Sequence, residues 1–190
     1  MNKEQTITGV IRGTGACVPE RILDNKEIAG FVDTSDEWIR ERTGVRRRRI
    51  AEKETTVSMA CEAGRQAVEE AGISPGEIDM ILVATGSPDQ IFPCTACRVQ
   101  EALGADGAVG FDLNAACSGF LFAYNTAQAY IASGIYRTVL VIGSESISRL
   151  VDWTDRGTCI LFGDGAGAVL IQAAEGKISI CLLSELSIMV

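Results

Sequence analysis

The sequence predicts an α/β fold in which helices cover both faces of a β-sheet. Short apolar runs that resemble strands alternate several times with segments of helical spacing, as is typical of α/β domains. These runs are almost continuously apolar, as expected for strands that are buried on both faces. Of the 190 residues, 47% are apolar, so the chain can bury a sizeable core as one domain or as one half of a larger fold.

The first part of the chain predicts one strand followed by three helices. The strand is TITGVIRGTGA, residues 6–16, which ends in a glycine turn. The first two helices follow capping residues, whose side chains accept hydrogen bonds from free backbone N–H groups. The helices are predicted at 23–30 with Asp24 or Asn25 as the cap, at 34–44 with Thr34 or Ser35 as the cap and Gly44 as the end, and at 55–72 with Gly72 as the end.

The second part of the chain predicts four strands and two helices. Apolar and β-branched residues dominate the strands, whereas helical spacing marks the other segments. The strands are predicted at 80–86, 108–113, 137–145 and 167–175, and the helices at 95–104 and 117–134.

The charge, the hydropathy and the cysteines of the sequence argue against a nucleic-acid-binding, membrane-spanning or exported protein. The chain has 17 basic and 25 acidic residues, a net charge of −8, which argues against a general nucleic-acid binder. No run of 18 apolar residues predicts a membrane span, and the N-terminus has no apolar segment of the export type. The seven cysteines are expected to be reduced thiols, so we expect a cytoplasmic protein without a membrane partner.

Cys117 is the candidate nucleophile, although the chain contains no histidine to act as its base. A strand precedes it, and the helical spacing of 117–134 begins at the cysteine. The N–H groups and positive dipole end of a helix favour a thiolate, and these N–H groups can hold an oxyanion when the sulfur attacks a thioester carbonyl. The alternative is a small buried cysteine at a tight junction between strand and helix.

Cys94 and Cys97 have the C-x-x-C spacing of metal and redox sites. A metal site needs further ligands, and the chain has neither a histidine nor a second C-x-x-C pair. A redox site is expected at the exposed start of a helix in a thioredoxin-like unit, of which the sequence shows only the helix. We therefore interpret the two cysteines as helix-packing residues, and we expect no metal.

The segment GDGAGA, residues 163–168, formally fits the glycine pattern of dinucleotide-binding folds. Such a site requires a strand before the glycines and a helix after them, whereas VLI follows here and predicts a strand. We therefore expect a tight, glycine-lined turn near a ligand or another chain segment.

A dense basic run, RRRR at 46–49, stands out in an acidic chain. It is either a solvated strand or loop, or a surface that attracts the phosphates of coenzyme A or an acidic carrier protein. Trp38 and Arg42 have i, i+4 spacing on the preceding helix, so they share one face. That face is either a surface for adenine and phosphate or an ordinary side of the helix.

Four separated motifs occur together in the chain: TSDEWIRERTGVRRRRIA, IFPCTACRVQEALG, NAACSGF and DWTDRGTCILFGDGAGAVL. In order and spacing they resemble the β-ketoacyl-acyl carrier protein synthase III family of the thiolase-like superfamily, from Ile7 to Gln172. The resemblance implies a thiolase-like fold, with a mixed central sheet, helices on both faces and two similar halves. On this interpretation residues 1–175 are the N-terminal half, residues 176–190 are an aberrant or truncated tail, and the second half is absent.

The resemblance implies a condensing enzyme that starts fatty acid synthesis. Its cysteine takes an acyl group from acyl-CoA; malonyl-acyl carrier protein then loses CO₂, and the resulting carbanion attacks the acyl thioester. Coenzyme A is part of the substrate, no separate cofactor is implied, and a homodimer is expected. The implied site residues are Cys117 as the acylated cysteine; Thr34, Trp38, Arg42 and Arg156 at the adenine end of coenzyme A; Phe92, which reaches across the dimer interface toward the acyl pocket; and Phe162, which lines the channel.

The absent half has a chemical consequence. In the family it supplies a histidine and an asparagine that bind the thioester carbonyl and stabilise the enolate. Condensation by this chain is therefore expected to be impaired, because stabilisation of developing charge is usually the largest catalytic contribution. The alternatives are a module that binds acyl-CoA or a partner without turnover, and a related polyketide starter synthase or HMG-CoA-synthase-like enzyme.

Overall fold

Seven strands form two sheets within residues 7–175, the part of the chain that this computed structural model describes. The strands are β1 (Ile7–Cys17), β2 (Ile22–Asp24), β3 (Arg47–Arg49), β4 (Met80–Ala84), β5 (Val109–Leu113), β6 (Thr138–Ser146) and β7 (Asp164–Glu175). The large sheet has the order β1-β7-β6-β4-β5, and β2 pairs with β3 in a small separate sheet. The predicted tail at 176–190 lies outside the described residues.

The large sheet is mixed. β4 is parallel to β5 on one side and to β6 on the other, whereas β7 is antiparallel to both β6 and β1. Ala84 lies opposite Leu113 and Gly143, and Gly143 lies opposite Gly167. The carboxyl ends of three parallel strands therefore meet the amino-terminal end of β7 at one end of the sheet.

Within residues 7–175 the chain forms five α-helices and three short 3-10 helices. The α-helices are α1 (Asn25–Ile28), α2 (Asp36–Thr43), α3 (Thr56–Ala71), α4 (Thr95–Leu103) and α5 (Gly119–Ala132), and the 3-10 helices are Pro75–Glu77, Ala116–Ser118 and Ile147–Arg149. α3 and α4 cover one face of the large sheet, and α5 covers the other. None of the helices in this described range combines the length and apolar character that a membrane span requires.

Each buried strand contributes side chains to two cores. On β4, Ile81 and Val83 pack beneath α3 and α4, whereas Met80 and Leu82 pack beneath α5. Because successive side chains of a strand point to opposite faces, a strand between two helical layers must be apolar at almost every position. This arrangement confirms the predicted mixed sheet with helices on both faces.

A third core lies beside the small sheet. Leu23 of β2, Ile28 of α1 and Ile39 of α2 pack with Ile160, and Trp38 lies at the margin of the cluster. Ile160 belongs to the segment that leads into β7. The small core therefore joins the first part of the chain to the segment before the last strand.

The helix ends agree with the capping signals in the sequence. Asp24 caps α1, and Ser35 caps α2 by accepting a 3.1 Å hydrogen bond from the Trp38 N–H. α2 and α3 end at Gly44 and Gly72, both in the left-handed conformation. The helix predicted at 55–72 is therefore confirmed to within one residue at each end, and the helix predicted at 34–44 to within two residues.

Several segments differ from the prediction. The short strands β2 and β3 are additional elements, and the helix predicted at 23–30 is reduced to α1, because its first two residues belong to β2. β1 continues through the expected glycine turn to Cys17, because its second half also pairs with β7. GDGAGA is not a turn: β7 already begins at Asp164, which pairs with Ser146 of β6. The last predicted helix begins at Gly119 rather than at residue 117, because a 3-10 turn precedes it.

Glycines allow β1 to lie directly against α3. A Cβ atom at Gly13 would overlap the carbonyl oxygen of Ala67, and one at Gly15 would overlap the carbonyl oxygen of Ala63. Both oxygens belong to the backbone of α3, so neither can move aside as a side chain could. The close contact of strand and helix therefore depends on the absence of side chains at these two positions.

We expect Gly15→Ala to lower the free energy of unfolding by about 2–3 kcal/mol, because its methyl group would push β1 away from α3. Urea unfolding followed by circular dichroism measures the change.

Gly107→Ala is the matched control, since a Cβ atom there would meet nothing within 4 Å and the glycine does not have a positive φ. We expect this variant to remain within about 0.5 kcal/mol of the parent. Equal unfolding midpoints for the two variants would contradict the proposed contact.

Candidate active site

A cleft of about 870 Å³ opens at the end of the sheet where β4, β5 and β6 finish and β7 begins. The strand ends, the turn before α5 and the segment before β7 line it; Ala84, Asn114, Cys117, Phe162 and Gly165 are among the lining residues. Open α/β sheets bind ligands beyond the carboxyl ends of their parallel strands. This cleft is therefore the candidate active site.

Cys117 is exposed in this cleft, within the 3-10 turn between β5 and α5. Its neighbour Ala116 has a φ of 47°, in the left-handed region that residues other than glycine rarely adopt. The Ala116 N–H donates a 3.3 Å hydrogen bond to Asn114 Oδ1, and the Ser118 N–H donates one of 3.1 Å to the Ala115 carbonyl. The strained turn ends β5 sharply and presents the thiol to the cleft.

The position of Cys117 differs from the prediction in one respect. The sequence predicts that it opens the helix, but α5 begins two residues later, at Gly119. A Cβ atom at Gly119 would lie 3.2 Å from the Cβ atom of Ala84, so the helix starts tightly packed on the end of β4. The exposure of the thiol contradicts the alternative of a buried packing cysteine.

Glu145 is a functional candidate that the sequence analysis missed. It lines the cleft, and its carboxylate accepts hydrogen bonds from the Gly86 N–H at 2.7 Å, the Thr85 hydroxyl at 3.4 Å and the Ser87 hydroxyl. Ser87 Oγ in turn accepts a 2.8 Å hydrogen bond from the Ser146 N–H. Glu145 therefore fixes the loop after β4 to the end of β6. An acidic residue that ends the apolar run RTVLVIGSE is the signal that could have identified it.

Asp164 anchors the start of β7 and is 7% exposed. Its carboxylate accepts hydrogen bonds from the Ala51 N–H at 2.7 Å, the Ser148 N–H at 2.9 Å and the Ser148 hydroxyl at 2.5 Å. These bonds join β7 to the segment after β3 and to the segment after β6. Phe162 and the glycines beside Asp164 are thereby held at the cleft.

A second group of predicted site residues consists of Trp38, Arg42 and Arg156, which we call the Trp38 group. The Cζ atom of Arg42 lies 4.2 Å from the centroid of the indole, and that of Arg156 lies 4.7 Å from it. Arg156 is held by a 2.9 Å hydrogen bond from Nη1 to the Asp33 carbonyl. Two guanidinium groups against one aromatic ring create a positive, planar surface. The predicted shared face of Trp38 and Arg42 is present, and Arg156 joins it from a distant part of the sequence.

Of the three remaining predicted residues, two lie near these regions and one does not. Thr34 follows Asp33, whose carbonyl binds Arg156, and the buried Oγ1 of Thr34 has no hydrogen-bond partner among residues 7–175. Phe162 lies with Cys117 in the cleft. Phe92 is in neither place, because it lies outside the cleft lining with 90% of its surface exposed. The structure thus brings together one group at the thiol and one at the indole.

Arg48 connects these two regions, and it corrects the interpretation of the basic run. It is buried, and it donates to the Ile160 carbonyl from Nε at 3.1 Å and Nη2 at 2.5 Å, and to Asn25 Oδ1 from Nη1 at 2.7 Å. Burial lowers the pKa of its guanidinium.

Arg46 and Arg47 are exposed, so only part of the run fits a solvated or phosphate-attracting surface. Arg48 instead fixes the segment that bears both Arg156 and Phe162.

The other cysteines show no arrangement for a metal. Six cysteines of residues 7–175 are free thiols. Within the same residues, no group of three or more His, Cys, Asp or Glu side chains is placed to hold a metal ion.

Comparison with other proteins identifies a family of similar sequences. A family model described as 3-oxoacyl-[acyl-carrier-protein (ACP)] synthase III matches residues 111–187. The β-ketoacyl-[acyl-carrier-protein] synthase III of Clostridium acetobutylicum is 53% identical over 177 residues, which are 92% of this chain and 54% of that protein. The protein of the same name from Brucella suis is 53% identical over 171 residues, with 90% and 53% of the two chains covered.

Solved structures show the same relationship. The 3-oxoacyl-[acyl-carrier-protein] synthase III of Aquifex aeolicus has a TM-score of 0.87 and 51% identity, over 89% of this chain and 55% of that one. The priming β-ketosynthase of the R1128 polyketide pathway has a TM-score of 0.86 and 40% identity, over 92% and 52%. The chain spans about half the length of these relatives. Over the residues that it shares with them, the chain matches the β-ketoacyl-acyl carrier protein synthase III family in sequence and in its thiolase-like fold.

Proposed function

We propose that this chain forms the acyl-accepting part of a β-ketoacyl-acyl carrier protein synthase III, an acyltransferase that starts fatty acid synthesis. The proposal depends on one observation: the exposed thiol of Cys117 stands on a strained turn, in a cleft at the ends of three parallel strands. The proposed substrates are an acyl-CoA thioester and malonyl-acyl carrier protein.

In the proposed first step the Cys117 sulfur attacks the carbonyl carbon of acyl-CoA as a thiolate. The new carbon–sulfur bond gives a tetrahedral oxyanion, which collapses as the bond to the coenzyme A sulfur breaks. Coenzyme A leaves and takes up the proton that Cys117 lost, and the acyl group stays on the cysteine. The cleft suits this step because Phe162 and Ala84 provide apolar surface, and Gly165 leaves space for a bound acyl group.

The Trp38 group supports coenzyme A as the acyl donor. The indole face can stack on a planar ring such as adenine, while Arg42 and Arg156 supply positive charge for phosphate. The segment from Arg156 to Phe162 runs from this group to the cleft, with Ile160 held by Arg48 between them. A long thioester ligand can therefore be bound at its two ends by one continuous structure.

The second proposed step, decarboxylative condensation, requires groups beyond this chain. The attacking carbanion and the thioester oxygen both need stabilisation of negative charge, which is worth several kcal/mol of the barrier in comparable sites. The 190 residues contain no histidine for this purpose. We therefore propose that this chain supports acylation of Cys117, and that condensation by the chain alone is strongly impaired.

Two related activities use this chemistry, and they differ in the acyl group that they transfer. The likeness to a priming β-ketosynthase at 40% identity supports a polyketide starter synthase as the second candidate, with the same chemistry at Cys117.

We also infer a homodimer in the cytoplasm. The exposure of Ile91 and Phe92, 92% and 90%, supports contact with a second copy, and the six free thiols support a reducing compartment.

Incubation with acetyl-CoA is expected to add one acetyl group to the chain, because the Cys117 thiol is exposed to the cleft. Cys117→Ala is expected to abolish the adduct. Intact-mass spectrometry of the parent and the variant measures the change.

Cys61→Ala is the control, since burial raises the pKa of the Cys61 thiol and that cysteine lies on α3, outside the cleft. This variant should keep the full adduct. Binding of coenzyme A with no adduct on the parent chain would favour the non-catalytic module instead.

We expect Trp38→Ala to raise the Kd for coenzyme A about tenfold, because both guanidinium groups lose the ring that they flank. Isothermal titration calorimetry with coenzyme A measures the affinity.

Arg40→Ala provides the comparison on the same helix. Arg40 pairs with Asp36 at 3.2 Å and is not part of the Trp38 group, so its loss should leave the Kd within about twofold. Equal affinities for both variants would argue against coenzyme A binding at Trp38.

A further inference from the structure

Cys94 and Cys97 form a close pair of thiols at the start of α4. The Cys94 thiol donates a hydrogen bond to the sulfur of Cys97, with 3.4 Å between the two sulfur atoms. Both residues are half-buried, so a small reagent can reach them. We infer that these two cysteines are a reversible thiol–disulfide site, which a low-molecular-weight disulfide oxidises to an intramolecular Cys94–Cys97 bond.

Helix geometry explains why the sulfurs meet. Cys94 is the N-cap residue of α4, and Cys97 is the third residue of the helix. The side chain of an N-cap residue projects toward the third position, which is why N-cap and third-position side chains commonly interact. A disulfide needs a separation of about 2.05 Å between the sulfurs, which the two side chains can approach by rotating within the first turn.

The surrounding residues favour a redox pair over a metal site. The carboxylate of Asp112, which acts on Cys97, already accepts hydrogen bonds from the N–H groups of Thr95 and Ala96, each at 2.8 Å. No third ligand accompanies the two sulfurs in the part of the chain that is described. Because Asp112 caps the helix, Cys94 has no capping hydrogen bond to lose when its sulfur reacts.

The exchange proceeds in two balanced steps. The Cys94 thiolate attacks one sulfur of the small disulfide, whose other half leaves as a thiolate. Cys97 then attacks the Cys94 sulfur of this mixed disulfide, and the second half leaves; the two thiols together lose two protons and two electrons. When Cys94 is the thiolate, the Cys97 thiol donates the hydrogen bond between the two sulfurs; this bond, together with burial, raises the pKa of Cys97, so Cys97 keeps its proton until the second step.

A disulfide between Cys94 and Cys97 would restrain the exposed apolar segment that precedes α4. Only Pro93 separates Cys94 from the exposed residues Ile91 and Phe92, and the Pro93 carbonyl accepts a 3.3 Å hydrogen bond from Gln90 Nε2. A Cys94–Cys97 bond would fasten the end of this apolar segment to the first turn of α4. The inference does not depend on acyl transfer, since Cys117 takes no part in it.

Trypsin provides a clean test, because the peptide 66–98 contains Cys94 and Cys97 and no other cysteine. The native chain is equilibrated with oxidised and reduced glutathione, its free thiols are blocked with N-ethylmaleimide, and peptide 66–98 is weighed. The expected oxidised peptide lacks two hydrogen atoms and carries no label, and dithiothreitol restores two labels. At one glutathione ratio, the disulfide fraction relative to dithiol should be roughly tenfold higher in the folded chain than in urea.

Two variants complete the experiment. Cys94→Ser should leave Cys97 labelled or joined to glutathione, with no internal bond, whereas Cys61→Ser should behave as the parent does. Circular dichroism checks that each variant is folded. Two maleimide labels on peptide 66–98 at every glutathione ratio, or equal disulfide fractions in the folded chain and in urea, would overturn the inference.

Discussion

The pairing of β6, parallel to β4 on one side and antiparallel to β7 on the other, is the constraint on which the site depends. Parallel neighbours bring their carboxyl ends together, and the antiparallel neighbour returns its amino-terminal end to the same place. The turn that bears Cys117 and the segment that bears Phe162 therefore face one cleft, although they are distant in the sequence. A slip of one residue between β6 and β7 would exchange the faces of every side chain on β7.

Two buried polar side chains attach the small sheet to this end of the large one. The side chain of Arg48, on β3, donates a hydrogen bond to the Ile160 carbonyl, and the side chain of Asp164, on β7, accepts one from the Ala51 N–H. Burying either group without partners would cost several kcal/mol, but hydrogen bonds satisfy both. The positions of the Trp38 group and of the cleft are thus set by polar contacts, which require particular partners, as well as by apolar packing, which tolerates several.

Local signals in the sequence predict most of the elements, because caps such as Ser35 and continuous apolar runs act over a few residues. The same holds for Cys117, whose place between a strand and a helix marks it as a candidate. The rest depends on contacts between distant segments. Glu145 and Arg48 reach their partners only after the chain has folded, because those partners lie in distant segments. No periodicity encodes such contacts.

The segment between Arg156 and Phe162 has a consequence for how this family can vary. One end stands against an indole, the other lines the cleft, and the middle is held by the guanidinium of Arg48. Residues between its two ends can be substituted more readily than residues can be inserted or deleted. If an insertion or deletion left one end of the segment in its contacts, the other end would be displaced from its own. Natural variation in this stretch should therefore consist of substitutions, while changes of length gather in loops that are attached at one point only.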